Sequence, residues 1–210
     1  LNPARLQDEA GRFPRDAARR DLGIQNGEVA IVLPGTVCER KGQTDLLHAL
    51  ALLPAETAAR IRCFIVGDRP SHYSANLHKL AQELPASVRE RLHIVPETDE
   101  IVRFYHAADL LVCTSRVESF PRVVLEAMFF GLPGVSARVF GVVEQVGESV
   151  NALLYEPGDA GTLAQHLRSL IDDDALRQRF ADNSPHVLDT LNTFDEMVTA
   201  YAGIFREAAL

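Results

Sequence analysis

A chain of 210 residues with 47% hydrophobic content is long enough to bury a substantial core, and it suits one large α/β domain or two small ones. Its formal charge of −8 argues against a nucleic-acid binder and against a general attraction to anionic membranes, leaving room only for a local basic patch. Cys38, Cys63 and Cys113 sit in or beside apolar runs without CxxC spacing, the histidines match no metal-ligand spacing, and no signal peptide or bilayer-length apolar segment is visible, so a reducing, cytoplasmic location and a site without metal are expected.

Taken in order, residues 1–20 are polar and Arg-rich, with Pro3 and Pro14, and read as a linker or lead-in to a domain over 21–210. Val29-Ala30-Ile31-Val32-Leu33 is the first strand. It breaks at Pro34-Gly35 into a loop from Thr36 to Gly42, and Leu46, Leu47, Leu50 and Leu53 then recur at helical spacing over about Gln43 to Leu53. A second strand covers Ile61 to Gly67, a helix follows over about Ser74 to Glu83, and Leu92 to Val95 is a third strand. Beyond it the pattern predicts a short helix from Glu100 to Ala107 and a strand from Asp109 to Thr114. Short strands follow at Gly134 to Ala137 and Ala152 to Tyr155, with helices near Gly158 to Ile171, Asp174 to Ala181 and Thr193 to Ala209. Strands alternating with helices at this spacing imply βαβ units, hence an α/β fold with a Rossmann-like parallel sheet flanked by helices and right-handed crossovers. Ligands of such sheets bind at the carboxyl ends of the strands. The loops after Leu33, Val66, Val95 and Thr114 therefore share one rim, where Lys41, Asp68, Glu97, Glu118 and Glu126 are expected to converge.

The stretch from Glu118 to Glu126 organises that rim. Pro121 suits the first turn of a helix and Ser119 can supply a capping hydroxyl, so a helix is expected to begin inside the stretch, with Glu118 at its mouth and Glu126 about a turn and a half along. Unpaired N–H groups and a partial positive charge at that mouth suit a phosphate, and carboxylates suit hydroxyls. Together they suggest a sugar nucleotide. Two plainer readings stand beside this one: Arg122 and Glu126 at i, i+4 form an ordinary surface ion pair, and Glu118 is a solvated loop residue.

Lysine occurs only at Lys41 and Lys79, and Lys41 lies in a loop that follows a strand. An ammonium on a flexible stem there can hold a diphosphate and stabilise the charge that develops as it leaves, and Arg40 doubles the local charge. The alternative is a solvated cation pair at a helix start, which the helix dipole disfavours.

Pro34-Gly35-Thr36 through Lys41-Gly42, then Phe64-Ile65-Val66-Gly67, Glu118 through Glu126 with Ala127-Met128, Gly131-Leu132-Pro133, and Asn151 through Asp159 occur in an order and spacing that resembles a known family. From about Leu22 onward the chain is similar to the C-terminal, donor-binding domain of retaining glycosyltransferases of the two-domain GT-B type, in the group 1 (GT4-like) family. The resemblance implies one half of a GT-B architecture, with a nucleoside-diphosphate sugar as donor substrate and no cofactor or metal. It implies that Lys41 contacts the diphosphate, that Glu118 approaches the sugar hydroxyls, and that Glu126 holds the ribose. Ser119, Phe120, Pro121, Arg122 and Val123 would offer backbone donors, and Val95, Pro96, Glu97 and Thr98 would line the base. Three positions differ from the family pattern: Thr36 stands where an Arg is common, Pro121 where a Gly is common, and the downstream paired glycines read Phe140-Gly141-Val142-Val143-Glu144. Arg40 is the candidate to replace the missing arginine.

By length the chain is expected to be an excised domain or a fragment, without the N-terminal acceptor domain of such enzymes. The expectation is a domain that binds nucleotide sugar, transfers it only together with that missing partner, and meets a membrane, if at all, peripherally through it. Two competing classes are a sugar-nucleotide epimerase domain, which needs acid/base residues, and a non-catalytic nucleotide-sugar-binding module.

Overall fold

The computed structural model describes residues 3–208. Helices α1 (Pro3–Arg12) and α2 (Arg15–Asp21) precede β1 (Val29–Pro34); α3 (Gln43–Ala51) and α4 (Ala55–Ala58) lead to β2 (Ile61–Asp68); α5 (His72–Glu83) and α6 (Ala86–Arg89) lead to β3 (Leu92–Pro96). Then α7 (Ile101–Ala107) precedes β4 (Leu110–Cys113), α8 (Arg122–Phe129) precedes β5 (Gly134–Ala137), and α9 (Phe140–Gln145) precedes β6 (Ala152–Tyr155). Helices α10 (Ala160–Asp172), α11 (Asp174–Leu188) and α12 (Phe194–Ala208) close the chain.

The six strands form one sheet in the order β3-β2-β1-β4-β5-β6, with every pairing parallel. Strands of such a sheet are buried on both faces, which is why they read as continuous apolar runs. Alternation along β1 divides the core in two. Val29, Ile31 and Leu33 pack on one side with Leu46, Leu50 and Leu167, while Ala30 and Val32 pack on the other with Tyr105, Val124 and Met128. Helices therefore cover both faces. The order reverses between β1 and β4, so the loops leaving these two strands diverge and open a crevice at the carboxyl edge.

Residues 1–20, expected as a linker or lead-in, carry two helices among the described residues: both pack on α7, α1 beside Ile101, Arg122 and Glu126 and α2 at the amino edge of the sheet. Arg15 and Arg19 donate to the Asp109 carboxylate at 2.5 and 2.8 Å, Arg19 also caps the Ala107 carbonyl at 2.8 Å, and the Ala30 N–H reaches Asp109 at 2.7 Å. An Arg-rich segment looks solvated in sequence, but here the guanidinium groups close backbone carbonyls and one carboxylate while Leu6 and Ala18 are buried. Asp109, expected inside a strand, is drawn out of β4 by the same contacts. Helix α11 runs to Leu188 rather than Ala181, with Pro185 inside it, and α9 was not expected as a helix.

Candidate functional site

The crevice at the strand reversal holds a cavity of about 420 Å³ bounded by Pro34, Gly35 and Thr36 after β1, Val66 and Gly67 of β2, Glu97 and Thr98 after β3, Ile101 and Tyr105 of α7, and Arg122, Val123 and Glu126 of α8. A larger depression of about 770 Å³ lies on the opposite edge, under α2, where Arg19 is already committed to Asp109. Glycine makes the rim tight. A Cβ on Gly67, at φ +121°, would lie 2.6 Å from the Gly35 carbonyl oxygen, so the first two loops touch backbone to backbone.

Lys41 and Arg40, in a short 3-10 turn over Glu39–Lys41, point into this rim and meet Glu118. Lys41 Nζ lies 2.6 Å and Arg40 Nη1 2.8 Å from Oε1 of Glu118, and the Ser115 hydroxyl donates to the same oxygen at 3.1 Å. The Lys41 stem runs against Gly35, whose Cβ position is 3.4 Å from Lys41 Cε, which joins this ion cluster to the end of the cavity. Burial disfavours the Glu118 carboxylate, but the hydrogen bond and charge of Lys41, with Ser115 and Arg40, outweigh it and hold the group below its usual carboxylate range. Glu118 is therefore an anion at neutral pH.

The two loops that carry these groups are stitched together. The Arg116 N–H donates to the Arg40 carbonyl at 2.8 Å, the Thr114 hydroxyl donates to the Lys41 carbonyl at 2.7 Å, and a Cβ on Gly42, at φ +64°, would fall 2.5 Å from the Thr114 carbonyl oxygen. Buried Gln43 donates to the Thr36 carbonyl at 3.0 Å, and its Oε1 accepts from the Cys38 N–H at 3.3 Å. Arg116 reaches the buried Asp45 at 2.7 Å, and Asp45 accepts the Gly158 N–H at 3.1 Å, so α3, β4 and the turn before α10 share one brace.

Helix α8 begins at Arg122, inside the motif as expected, but Ser119 does not cap it: Pro121 holds the cap position without a side-chain bond. The reason is α9. Gly141 lies so close that a Cβ there would fall 1.5 Å from the Ser119 carbonyl oxygen, and Gln145 donates to the Pro121 carbonyl at 3.2 Å. The loop is thus fixed from outside rather than by its own serine. Glu126 turns inward with its side chain 12% exposed, Oε1 accepting from Arg122 at 3.0 Å and Oε2 from the Tyr105 hydroxyl at 2.9 Å. Burial, with the neighbouring Glu126 charge, raises the Tyr105 phenol well above its ordinary range, so it remains a donor.

Of the residues singled out in the sequence, Thr36, Glu97, Thr98, Arg122, Val123 and Glu126 line the cavity, and Lys41, Arg40 and Glu118 adjoin it. Val95 packs partly into the core, Pro96 ends β3 exposed, and Ser119 is exposed on the rim. Phe120 faces a separate groove with Leu125 and Phe129. Asp68 does not join the cluster: Ser74 at 2.6 Å and His78 at 2.8 Å hold it to α5. Sequence reasoning missed Tyr105, Ser115, Gln43, Asp45 and Arg116. Only Asp45 carried a signal, a carboxylate amid apolar residues of a short helix. Among the described residues no three His, Cys, Asp or Glu side chains are grouped to hold a metal ion, and no helix is long and apolar enough to cross a membrane.

The family profile described as glycosyl transferases group 1 matches residues 14–187. D-inositol 3-phosphate glycosyltransferase of Corynebacterium efficiens is 33% identical over 172 residues, covering 80% of this chain and 41% of that protein. Lipopolysaccharide glucosyltransferase WaaG of Escherichia coli K12 is 28% identical over 196 residues, covering 92% of this chain and 51% of that protein. The crystal structure of Anabaena HepE in complex with UDP superposes with a TM-score of 0.77 at 26% identity, over 97% of this chain and 53% of that one. The chain spans about half the length of the curated relatives it matches.

Proposed function

The chain belongs to the group 1 glycosyltransferases, with the fold of a GT-B C-terminal domain, and from that premise we propose that it binds the nucleoside-diphosphate sugar from which a longer enzyme transfers the sugar to an acceptor hydroxyl. The observation that carries this reading is the meeting, on one crevice at the strand reversal, of the Lys41–Arg40–Glu118 cluster with the inward-turned Glu126. A relative of the same fold was crystallised with UDP and with UDP-glucose, which supports the ligand class.

In this reading Glu126, held by Tyr105, accepts the ribose hydroxyls, Glu97 and Thr98 flank the base, and the diphosphate lies along Gly35 and Thr36 toward Lys41 and Arg40. Glu118 meets the sugar. The bond from the sugar's anomeric carbon to phosphate oxygen breaks, a bond from the acceptor oxygen to that carbon forms on the same face, and the departing phosphate oxygen takes the acceptor's proton. Lys41, Arg40 and the N-terminus of α8 stabilise the charge left on the diphosphate. Glu118 and Glu126 orient the donor, a service that by itself accounts for a large share of a rate. In this reading the acceptor side belongs to the other half of the longer enzyme, and the domain assayed alone is expected to bind donor without turning it over.

A thermal-shift panel of nucleoside diphosphates and their sugars tests this. A ligand at about a hundred times its Kd adds ~2.7 kcal/mol to stability, a shift of several degrees. Glu126→Ala is expected to weaken every ribose-bearing ligand and Lys41→Ala every diphosphate, each by tenfold or more on the scale of about 1.4 kcal/mol for one lost charged contact. Unchanged shifts in both variants would sink the assignment.

A further inference from the structure

Lys41 and Arg40 are not open cations at the rim. Both close onto Oε1 of Glu118, at 2.6 and 2.8 Å. The Lys41 and Glu118 side chains are 13% and 11% exposed, so solvent and salt screen their charges less than at an open surface. A phosphate oxygen in contact with Lys41 Nζ lies no more than about 6 Å from Oε1 of Glu118, since the 2.6 Å ion pair adds to a charge-assisted hydrogen bond of ~2.8 Å.

A carboxylate that near repels phosphate in proportion to the phosphate's charge. The terminal phosphate of a nucleoside diphosphate has a second ionisation near ~pH 6, which the glycosylated phosphate of a nucleotide sugar lacks, so near neutral pH the product carries about one more negative charge than the donor. The donor also brings sugar hydroxyls that a carboxylate accepts, and the product brings none to that end of the cavity. Both differences act in one direction.

Resting on the donor-site reading above, we propose that Glu118 is a specificity-determining residue, one that weakens the hold on the nucleoside diphosphate product relative to the intact nucleotide sugar. Lys41 and Arg40 attract both ligands; Glu118 taxes the one that has lost its sugar. The pairing therefore favours product release as well as donor selection.

Isothermal titration of the purified chain near neutral pH, with UDP against UDP-glucose and GDP against GDP-mannose, reads the preference directly. Glu118→Gln is expected to tighten the diphosphate by about tenfold, the scale of one unit of charge removed at that separation, while the matching nucleotide sugar is unchanged or weaker. Glu118→Ala serves if the glutamine variant does not fold, and the melting temperature of each variant reports folding. If both variants bind the two ligands in the parental ratio, or weaken the diphosphate, Glu118 only orients Lys41 and the proposal is overturned with the donor site intact. If no pair binds the parent chain, or Lys41→Ala and Glu126→Ala both leave binding untouched, the donor-site reading itself falls.

Discussion

Glu126 satisfies two readings of the same residue. The i, i+4 pair with Arg122 forms, yet the two partners live in different environments: the Arg122 side chain is 77% exposed and that of Glu126 only 12%. An ion pair with one end in water contributes little, whereas the Tyr105 hydrogen bond to a buried carboxylate contributes more. Tyr105→Phe is therefore expected to cost about 1.5–3 kcal/mol in urea unfolding, and Arg122→Ala less than ~1 kcal/mol. Equal losses in the two variants would contradict this ordering. Tyr105 could not be found from sequence because Val102, Phe104 and Tyr105 read together as the apolar face of a short helix, and nothing marks one of three as bonded to a glutamate some twenty residues away. The thiols are ranked by the same logic. Burial pushes Cys63 up to about 12, Cys113 is buried, and Cys38 is partly exposed, so a thiol reagent on the native protein is expected to label Cys38 first. Mass spectrometry of the labelled peptides checks the order.

At the scale of elements, the strands were legible because a parallel sheet buried on both faces favours near-continuous apolar runs, and β1 and β2 are such runs bounded by Pro34-Gly35 and Gly67-Asp68. Helix α9 was not legible. Its residues, Phe140-Gly141-Val142-Val143-Glu144-Gln145, form less than two turns, and what makes them a helix is the backbone contact of Gly141 with the loop bearing Glu118. Ser119 misled for the complementary reason: its side chain suits a cap, but its backbone is engaged by α9. Gly141→Ala must separate two backbones, since the Cβ would fall 1.5 Å from the Ser119 carbonyl oxygen. We expect a loss at or above ~3 kcal/mol, the upper end for overpacking, together with loss of diphosphate binding as the Glu118 loop shifts. Gly11→Ala in α1 meets nothing within 4 Å and should be neutral or stabilising by up to ~1 kcal/mol. If circular-dichroism melts show Gly141→Ala as stable as the parent, α9 does not hold the loop.

For the whole molecule, the titrating groups of both edges of the sheet act together. Glu28, on the amino edge, is opposed by burial but held below its ordinary 4.5 by the Gln25 N–H and by Arg62 and Arg91; Asp68, on the carboxyl edge, is opposed by burial but held below 3.8 by Ser74 and His78; Glu118 follows the same pattern with Lys41. A carboxylate with a depressed folded pKa contributes stability that is full above its unfolded value and is lost as pH falls through the folded one. Burial also lowers His93 from 6.5, with Arg62 adding to the effect, so charging it on acidification opposes the fold as well. On the alkaline side the sign reverses: burial raises Cys63 from 9.0 and Tyr105 from 10.0, and groups with raised folded pKa lose their contribution as pH climbs past those unfolded values. Stability should therefore form a plateau between roughly pH 7 and 9, decline gently below 6.5 and steeply below 4.5. Urea midpoints across the range check this, and Glu118→Gln should flatten only the acid limb, since it removes one depressed carboxylate and leaves the buried thiol and phenol in place. A midpoint that rises on acidification would mean that repulsion within a chain of net charge −8, which protonation relieves, outweighs the paired carboxylates.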